Sequence, residues 1–326
     1  MALWRSSTSN SYKMTPPVLL LIFNRPDLTA QVMDRIRQAQ PQKLFVGADG
    51  PRLEHSEDVG RCEEAREVAT QVNWDCEVHT LFRDENLGCK QAVSSAITWF
   101  FDHVEAGIIL EDDCVPHPTF FPYCAELLQR YQNDERVMAI SGDNFQPSGR
   151  DCDASYYFSV YNHVWGWATW RRAWEHYDGQ IPEWESLRDT DWLKGWLGTE
   201  EEGEYWRGIF DWVAHGEVDS WAYPWTFACW KAHGLTALPA VNLVSNIGFG
   251  ERGTHTSSED SNAARLSTEP LTFPLQHPSA MVRDYGADRF TSKHHFEISS
   301  SNPPRWRQLA SSYVPRSVKR VLRSVF

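Results

Sequence analysis

This sequence is poor in the features that announce staples, membrane spans or phosphate loops. Cysteine is sparse and unpaired: Cys62, Cys76, Cys89, Cys114, Cys124, Cys152 and Cys229 show no CxxC spacing and their number is odd. That argues against a zinc ribbon or a disulfide framework and for scattered thiols in a reducing compartment. The early apolar run from Val18 to Phe23 is far shorter than the roughly 20 residues needed to cross a bilayer. It also lacks the charged start and small-residue cleavage site of a secretory signal. A cytoplasmic protein is expected. No GxGxxG and no GxxxxGK[ST] occurs, so a dinucleotide-binding Rossmann site and a P-loop are unsupported. Positive charge is short as well: 31 Lys and Arg stand against 44 Asp and Glu, a net charge of −13 that repels a phosphate backbone and excludes general nucleic-acid binding. Six of the basic residues fall between Asn302 and Phe326, a stretch with no acid.

What is present is a long, well-mixed chain. Its 326 residues suffice for one large domain or two modest ones, and 41% hydrophobic content with no low-complexity block excludes wholesale disorder. Residues 1–15 are polar and Ser-rich and read as a flexible lead-in. Pro17 to Phe23 is apolar on both faces, the pattern of a fully buried strand. Leu28, Val32 and Ile36 recur at helical spacing, with Asp27 as the expected cap and Pro41 as the stop. Further strands are expected over 43–48, 76–82, 107–110 and 136–141, and helices over 56–72, 89–103 and 118–132. That alternation predicts an α/β fold with a mostly parallel sheet flanked by helices. Beyond about residue 145 the rhythm is lost, and twelve of the sixteen tryptophans crowd between positions 165 and 230. Short helices joined by loops are expected there, and residues 253–302 read as loop-rich.

Ligands of such sheets bind at the carboxyl ends of the strands. Three expected strand ends carry polar clusters: Asn24-Arg25, Asp49, and Glu111-Asp112-Asp113. Three carboxylates directly after a buried strand repel one another unless something neutralises them. A divalent cation does so, and hard oxygen ligands suit Mg²⁺ or Mn²⁺, which keep open positions for substrate phosphates. A solvated turn with capping acids is the plain alternative. A phospho-acceptor receiver or a DxD phosphatase would place its acids on an earlier strand. Arg25 offers a planar fork for a phosphate or a base, and Asp49 could accept from a base or ribose. Lys90, beside the turn at Asn86, either faces a phosphate or is a solvated helix lysine.

The segments Pro17-Val-Leu-Leu-Leu-Ile-Phe-Asn-Arg25, the strand ending in Asp49, and Gly107-Ile-Ile-Leu-Glu-Asp-Asp113 together resemble the GT-A glycosyltransferases. The likeness is closest to the α-1,3-mannosyl-glycoprotein 2-β-N-acetylglucosaminyltransferase family, whose DxD metal motif also occurs as EDD before an aromatic helix, here Pro118-Thr-Phe-Phe-Pro-Tyr123. It covers residues 16–145 well and continues more weakly through Trp165-Gly-Trp-Ala-Thr-Trp170 to about residue 256. The resemblance implies a GT-A, Rossmann-like fold, a nucleotide-sugar donor with UDP favoured, Mn²⁺ (or Mg²⁺), and inversion at the anomeric carbon. Carried over, Asp113 is the direct metal ligand, Glu111 and Asp112 touch donor ribose, sugar or metal water, and Arg25 and Asp49 hold the nucleotide.

An inverting transfer also needs a base for the acceptor hydroxyl. The family keeps an Asp in a Trp-rich loop, and Glu217-Val-Asp219-Ser-Trp221 matches that place. Asp219 is the first choice and Glu217 the second, although the family's Trp-Asp-Asp-Trp context survives only in the downstream Trp221. Trp165, Trp167 and Trp221 are candidates for stacking on a sugar face, with core packing as the alternative for Trp at this spacing. Asn246 to His255 reads as a Gly-rich lid in which Arg252 faces the diphosphate and His255 completes a metal shell, or as a bare loop.

The expected organisation is a nucleotide-sugar core over 16–145, an acceptor and base region over 146–297, and a basic tail over 298–326. In the tail Val314, Val318, Val321, Leu322 and Val325 form an apolar stripe beside Arg316, Lys319, Arg320 and Arg323. It could sit peripherally on the anionic inner membrane surface or dock on its own acidic body. The expected activity is metal-dependent transfer of a hexose or N-acetylhexosamine to a hydroxyl of a glycan, glycolipid, protein or small molecule. A sugar-phosphate nucleotidyltransferase is the alternative enzyme, although its LxxGxGTR-type loop is missing. A catalytically inactive carbohydrate-binding protein on the same scaffold is the non-enzyme alternative.

Overall fold

The computed structural model describes residues 14–147, 153–249 and 266–298. The first half follows the expected alternation: β1 Val18–Ile22, α1 Pro26–Ala39, β2 Lys43–Ala48, α2 Glu57–Thr70, β3 Glu77–Phe82, α3 Cys89–His103, β4 Ala106–Glu111. A short strand, β5 Cys114–Pro116, precedes α4 Phe120–Arg130 and β6 Val137–Ser141. The second half supplies β7 Tyr156–Ser159, β8 Trp167–Trp170, α5 Arg171–Trp174, α6 Trp184–Leu187, α7 Trp192–Leu197, α8 Glu200–Ala214, α9 Ala222–Lys231, β9 Leu235–Pro239, β10 Val244–Asn246 and α10 Tyr285–His294.

One eight-stranded sheet runs in the order β3-β2-β1-β4-β8-β6-β9-β7. The pairs β1–β2, β2–β3, β1–β4 and β6–β9 are parallel, whereas β8 runs against both β4 and β6, and β7 against β9. Six strands therefore point one way and two the other: a mostly parallel, helix-flanked, GT-A-like α/β sheet. Strands from before and after residue 145 interleave in it, so β8 separates β4 from β6.

The period of two along β1 divides the core. Leu20 packs with Val32, Met33 and Ile36 of α1 and with α4 on one face. Leu19 and Leu21 join Phe45, Ile97 and Phe100 on the other. The tryptophans fill that second layer: Trp167, Trp174, Trp184, Trp206, Trp221, Trp225 and Trp230 are all buried in it. Aromatic rings carry large apolar area on few rotatable bonds, so they close the gap between the sheet and six helices of unequal length. A second, two-stranded sheet pairs β5 with β10 antiparallel, setting Asn246 opposite Cys114. It lays the chain after β10 against the end of β4.

Several details depart from expectation, and β7, β8, β9 and β10 lie where only short helices and loops were expected. Pro26 takes the first helical position of α1 and Arg25 the cap, so Asp27 lies in the first turn and is not the cap. Strand β5 and helix α10 went unrecognised: three residues carry no periodicity, and α10 lies in a polar stretch whose start is marked by Asp284 accepting from the Ala287 N–H. The six described cysteines are free thiols. Among the described residues no helix is long and apolar enough to cross a membrane. The basic tail lies outside the described residues.

Candidate functional site

The carboxyl ends of β1, β2, β3 and β4 open on a cavity of about 430 Å³. Its wall includes Arg25, Asp49, Glu111, Asp112, Asp113, Trp165, Asp219 and Trp221, which the chain brings together from five separate stretches. Lys90, Glu217 and Trp167 do not line it. Arg252 and His255 lie outside the described residues.

The acid cluster is held by Arg25. Its guanidinium makes a salt bridge to Asp112 and another, 2.9 Å long, to Asp113 Oδ2. Burial opposes the Arg25 charge, but Asp112, Asp113 and Glu111 outweigh it, so the group stays cationic. Burial first, and then Asp113 and Asp112, push Glu111 up to about 8. Burial likewise pushes Asp112 up to about 6 against the pull of Arg25. Charge is therefore crowded at the end of β4, and one guanidinium only partly relieves it. Gly248, just beyond β10, approaches so closely that a Cβ there would lie 2.1 Å from Asp113 Oδ2. The Gly248 N–H donates to Asn246 Oδ1 at 2.8 Å.

Asp49 has a structural occupation. Its carboxylate accepts from the N–H groups of Gly50, Leu87 and Gly88 and from Asn86 Nδ2. These bonds tie the end of β2 to the loop entering α3. Burial raises its pKa and the three backbone donors oppose the rise. Few lone pairs are left for a nucleotide.

Asp219 caps α3 from 130 residues away. Oδ2 accepts from the Cys89 N–H at 3.0 Å and Oδ1 from the Lys90 N–H at 2.8 Å. Gly88 makes room: its φ is +80°, and a Cβ there would come within 2.9 Å of Asp219 Oδ2. Lys90 turns elsewhere, its Cε lying 3.1 Å from where a Cβ on Gly179 would sit. Burial lowers its pKa, with Asp219 and Asp178 opposing.

Of the tryptophans, Trp165 is half-buried and lines the cavity, and Trp221 lines it while 3% exposed. Trp167 is 1% exposed, with its ring stacked on Trp221 at 5.6 Å. It supports the wall and offers no face to a ligand.

Two cavity arginines were not singled out from the sequence. Arg52 is bound through Nε and Nη2 by the fully buried Asp58, which also accepts from Asn24. Those bonds, led by Arg52, hold Asp58 down at about 2 against burial. Arg83 follows β3 directly and donates from Nη2 to Ser95 Oγ at 2.7 Å. The available signal was position: each follows the end of an expected strand on the edge that also carries Arg25 and Asp113.

No protein-family model matches the chain, and no curated protein matches it in sequence. Among solved structures, HddC from Yersinia pseudotuberculosis complexed with GMP-PN is 9% identical, over 48% of this chain and 77% of that one, with a TM-score of 0.31. The galactosyltransferase LgtC in complex with donor and acceptor sugar analogs is 11% identical, over 90% and 99%, with a TM-score of 0.37. UDP-glucose pyrophosphorylase complexed with UDP-glucose is 10% identical, over 45% and 63%, with a TM-score of 0.27. These likenesses carry no weight about activity. The class rests on the strand order and the site: a GT-A-like α/β protein with an acid cluster at the carboxyl edge of its sheet.

Proposed function

We propose that the cavity binds a nucleoside-diphosphate sugar, UDP-sugar being favoured, together with Mn²⁺ or Mg²⁺, and that the protein transfers the sugar to an acceptor hydroxyl with inversion. The observation that carries this reading is the charge of the wall. Three arginines face five carboxylates, a formal balance of −2 at the ends of parallel strands. A diphosphate entering alone meets net repulsion; one entering with a divalent cation has its own charge offset and loses that repulsion.

The residues fit a cation shared with the ligand. Among the described residues no three metal-ligating side chains gather into an all-protein cage. Hard oxygen donors are present, and Mg²⁺-type ions commonly take one or two carboxylates plus substrate phosphates. Asp113 would hold the ion: Arg25 spends two nitrogens on Asp112 and only one on Asp113 Oδ2, so Asp113 is the less committed of the two. When bound, the ion would offset charge developing on the departing diphosphate. Arg25 keeps Asp112 and Asp113 oriented. Asp219 is the base: it lines the cavity, is fixed by the two N–H groups at the α3 N-terminus, and each oxygen keeps a lone pair beyond its backbone bond to take the acceptor proton. Trp165 gives the sugar an apolar face.

The test is turnover. Purified protein is offered UDP-, GDP- and dTDP-sugars with Mn²⁺ or with EDTA, and released nucleoside diphosphate is measured. Slow metal-dependent release from one donor, abolished in Asp113→Ala, is expected. Pyrophosphate-dependent exchange in place of hydrolysis would establish a nucleotidyltransferase, and saccharide binding with no nucleotide binding would leave a carbohydrate-binding scaffold.

A further inference from the structure

Three cations line the cavity, and two are already engaged by acids: Arg25 by Asp112 and Asp113, Arg52 by Asp58. Arg83 forms no close ion pair with a described residue, although its charge acts on Asp49 from a distance. Its side chain is steadied by one neutral hydroxyl, Ser95 Oγ, from the second turn of α3. Its backbone is fixed by the Arg83 N–H donating to the Ala48 carbonyl at 3.1 Å and by Arg66 donating to the Arg83 carbonyl. The guanidinium is thus anchored at the cavity wall with most of its five donors unspent.

Its place in the sheet says what it meets. Arg83 follows β3 and Asp113 follows β4, and β2 and β1 lie between. Three inter-strand spacings amount to about 14 Å. That is too far for a phosphate held at the acid cluster and suits the far end of a ribose and base. The wall there is apolar and built from small groups of β2, β3 and α3: Gly47, Ala48, Leu81, Ala92, Val93 and Ala96. A flat heterocycle fits such a wall, whereas a charged group would lose its water there. Asp49, the residue expected to read the base, has its oxygens taken by the loop entering α3.

We propose that Arg83 reads the base of the nucleotide and selects a ring with carbonyl oxygens on its edge, as in uracil, thymine and guanine, over one with an exocyclic amine there, as in cytosine and adenine. A guanidinium has donors only, so a carbonyl edge completes it and an amine edge opposes it. Ser95 is the positioning residue that aims the fork. This inference rests on the nucleotide-sugar reading above.

The experiment measures dissociation constants of UDP, CDP, GDP and ADP in the presence of MnCl₂ for the wild-type protein and for Arg83→Met, Arg83→Gln and Ser95→Ala. The wild type should favour UDP over CDP, or GDP over ADP, by about tenfold or more. Arg83→Met should bring that ratio to within about twofold of unity. Arg83→Gln, which keeps length and polarity, decides the matter where the methionine variant misfolds, and its ratio should fall at least threefold. Ser95→Ala should give a ratio between those of Arg83→Met and the wild type. An unchanged ratio in the Arg83 variants, or a wild-type preference for the amine-bearing base, would overturn the assignment and leave the transferase reading intact. Failure of the wild type to bind any of the four would sink the transferase reading and this assignment with it.

Discussion

At the residue scale, the site consists of groups whose bonding is already largely assigned. Arg25 alone offsets two carboxylates at the end of β4, with only 14% of its side chain exposed. Arg25→Met removes that cation and leaves Asp112 buried and uncompensated, so unfolding in urea should show a loss of about 3 kcal/mol or more. Gly248 touches Asp113, and Gly248→Ala forces a Cβ into a carboxylate 2.1 Å away. Metal-dependent nucleotide binding, followed by calorimetry, should weaken about tenfold or more while binding in EDTA is unaffected. Asp219→Asn keeps the size of the side chain and removes the proton acceptor. Transfer to an acceptor should fall at least about a hundredfold, with nucleotide affinity within twofold of wild type. Near wild-type transfer in that variant would remove Asp219 from the base role and leave it a helix cap.

These residue roles were unevenly legible. The acid cluster was visible because three carboxylates followed a run of apolar residues, a purely local pattern. Asp219 was found through its Trp context, but its hold on α3 was not, since no local rule pairs it with residues 89 and 90. Asp49 was recognised as a strand-end acid and assigned to a nucleotide, whereas its neighbours in space, Leu87 and Gly88, claim its oxygens. Arg83 stood beside a strand end and carried no pattern of its own.

At the scale of elements, the first half of the chain was legible almost throughout, because β1, β2, β4 and β6 are buried on both faces and α1, α3 and α4 carry an apolar stripe. Strand β1, helix α1 and strand β6 all fall within a residue or two of where the apolar pattern put them. The second half was not, because β8 inserts antiparallel between β4 and β6 and its four residues carry no signal of a partner sixty positions away. The link between elements that matters most is the carboxylate of Asp49, which joins β2 to the loop entering α3. Asp49→Ala leaves three backbone donors and the Asn86 amide without that acceptor. A loss of about 2 kcal/mol in urea unfolding is expected, with faster amide exchange at Leu87 and Gly88. Unchanged exchange at those two amides would show that the loop is held by other contacts.

At the scale of the molecule, the sheet divides labour between its two ends of chain. Early strands end in the acid cluster and arginines, and the Trp-rich second half closes the cavity and supplies Asp219 and Trp165. The second half also carries an ionisable group that opposes folding in acid. His163 is 5% exposed with no partner for Nε2, and burial holds its pKa well below the usual imidazole value, helped by His295 nearby. Its folded pKa is depressed, so its contribution is complete above the unfolded value of about 6.5 and is lost as pH falls below it. His163→Phe should therefore gain thermal stability over wild type as pH drops from 7 to 5, with the difference smallest at pH 7. A constant difference across that range would mean that His163 takes up protons equally in the folded and unfolded chain.

The most direct test of the central claim is a calorimetric titration of UDP, GDP and dTDP into the wild-type protein, once with MnCl₂ and once with EDTA. Saturable one-to-one binding of at least one nucleotide with Mn²⁺, weakened about a hundredfold or more in EDTA, is the predicted result. Binding of equal strength in both buffers, or none in either, would contradict the proposal that a cavity lined by five carboxylates and three arginines takes a diphosphate together with a metal ion.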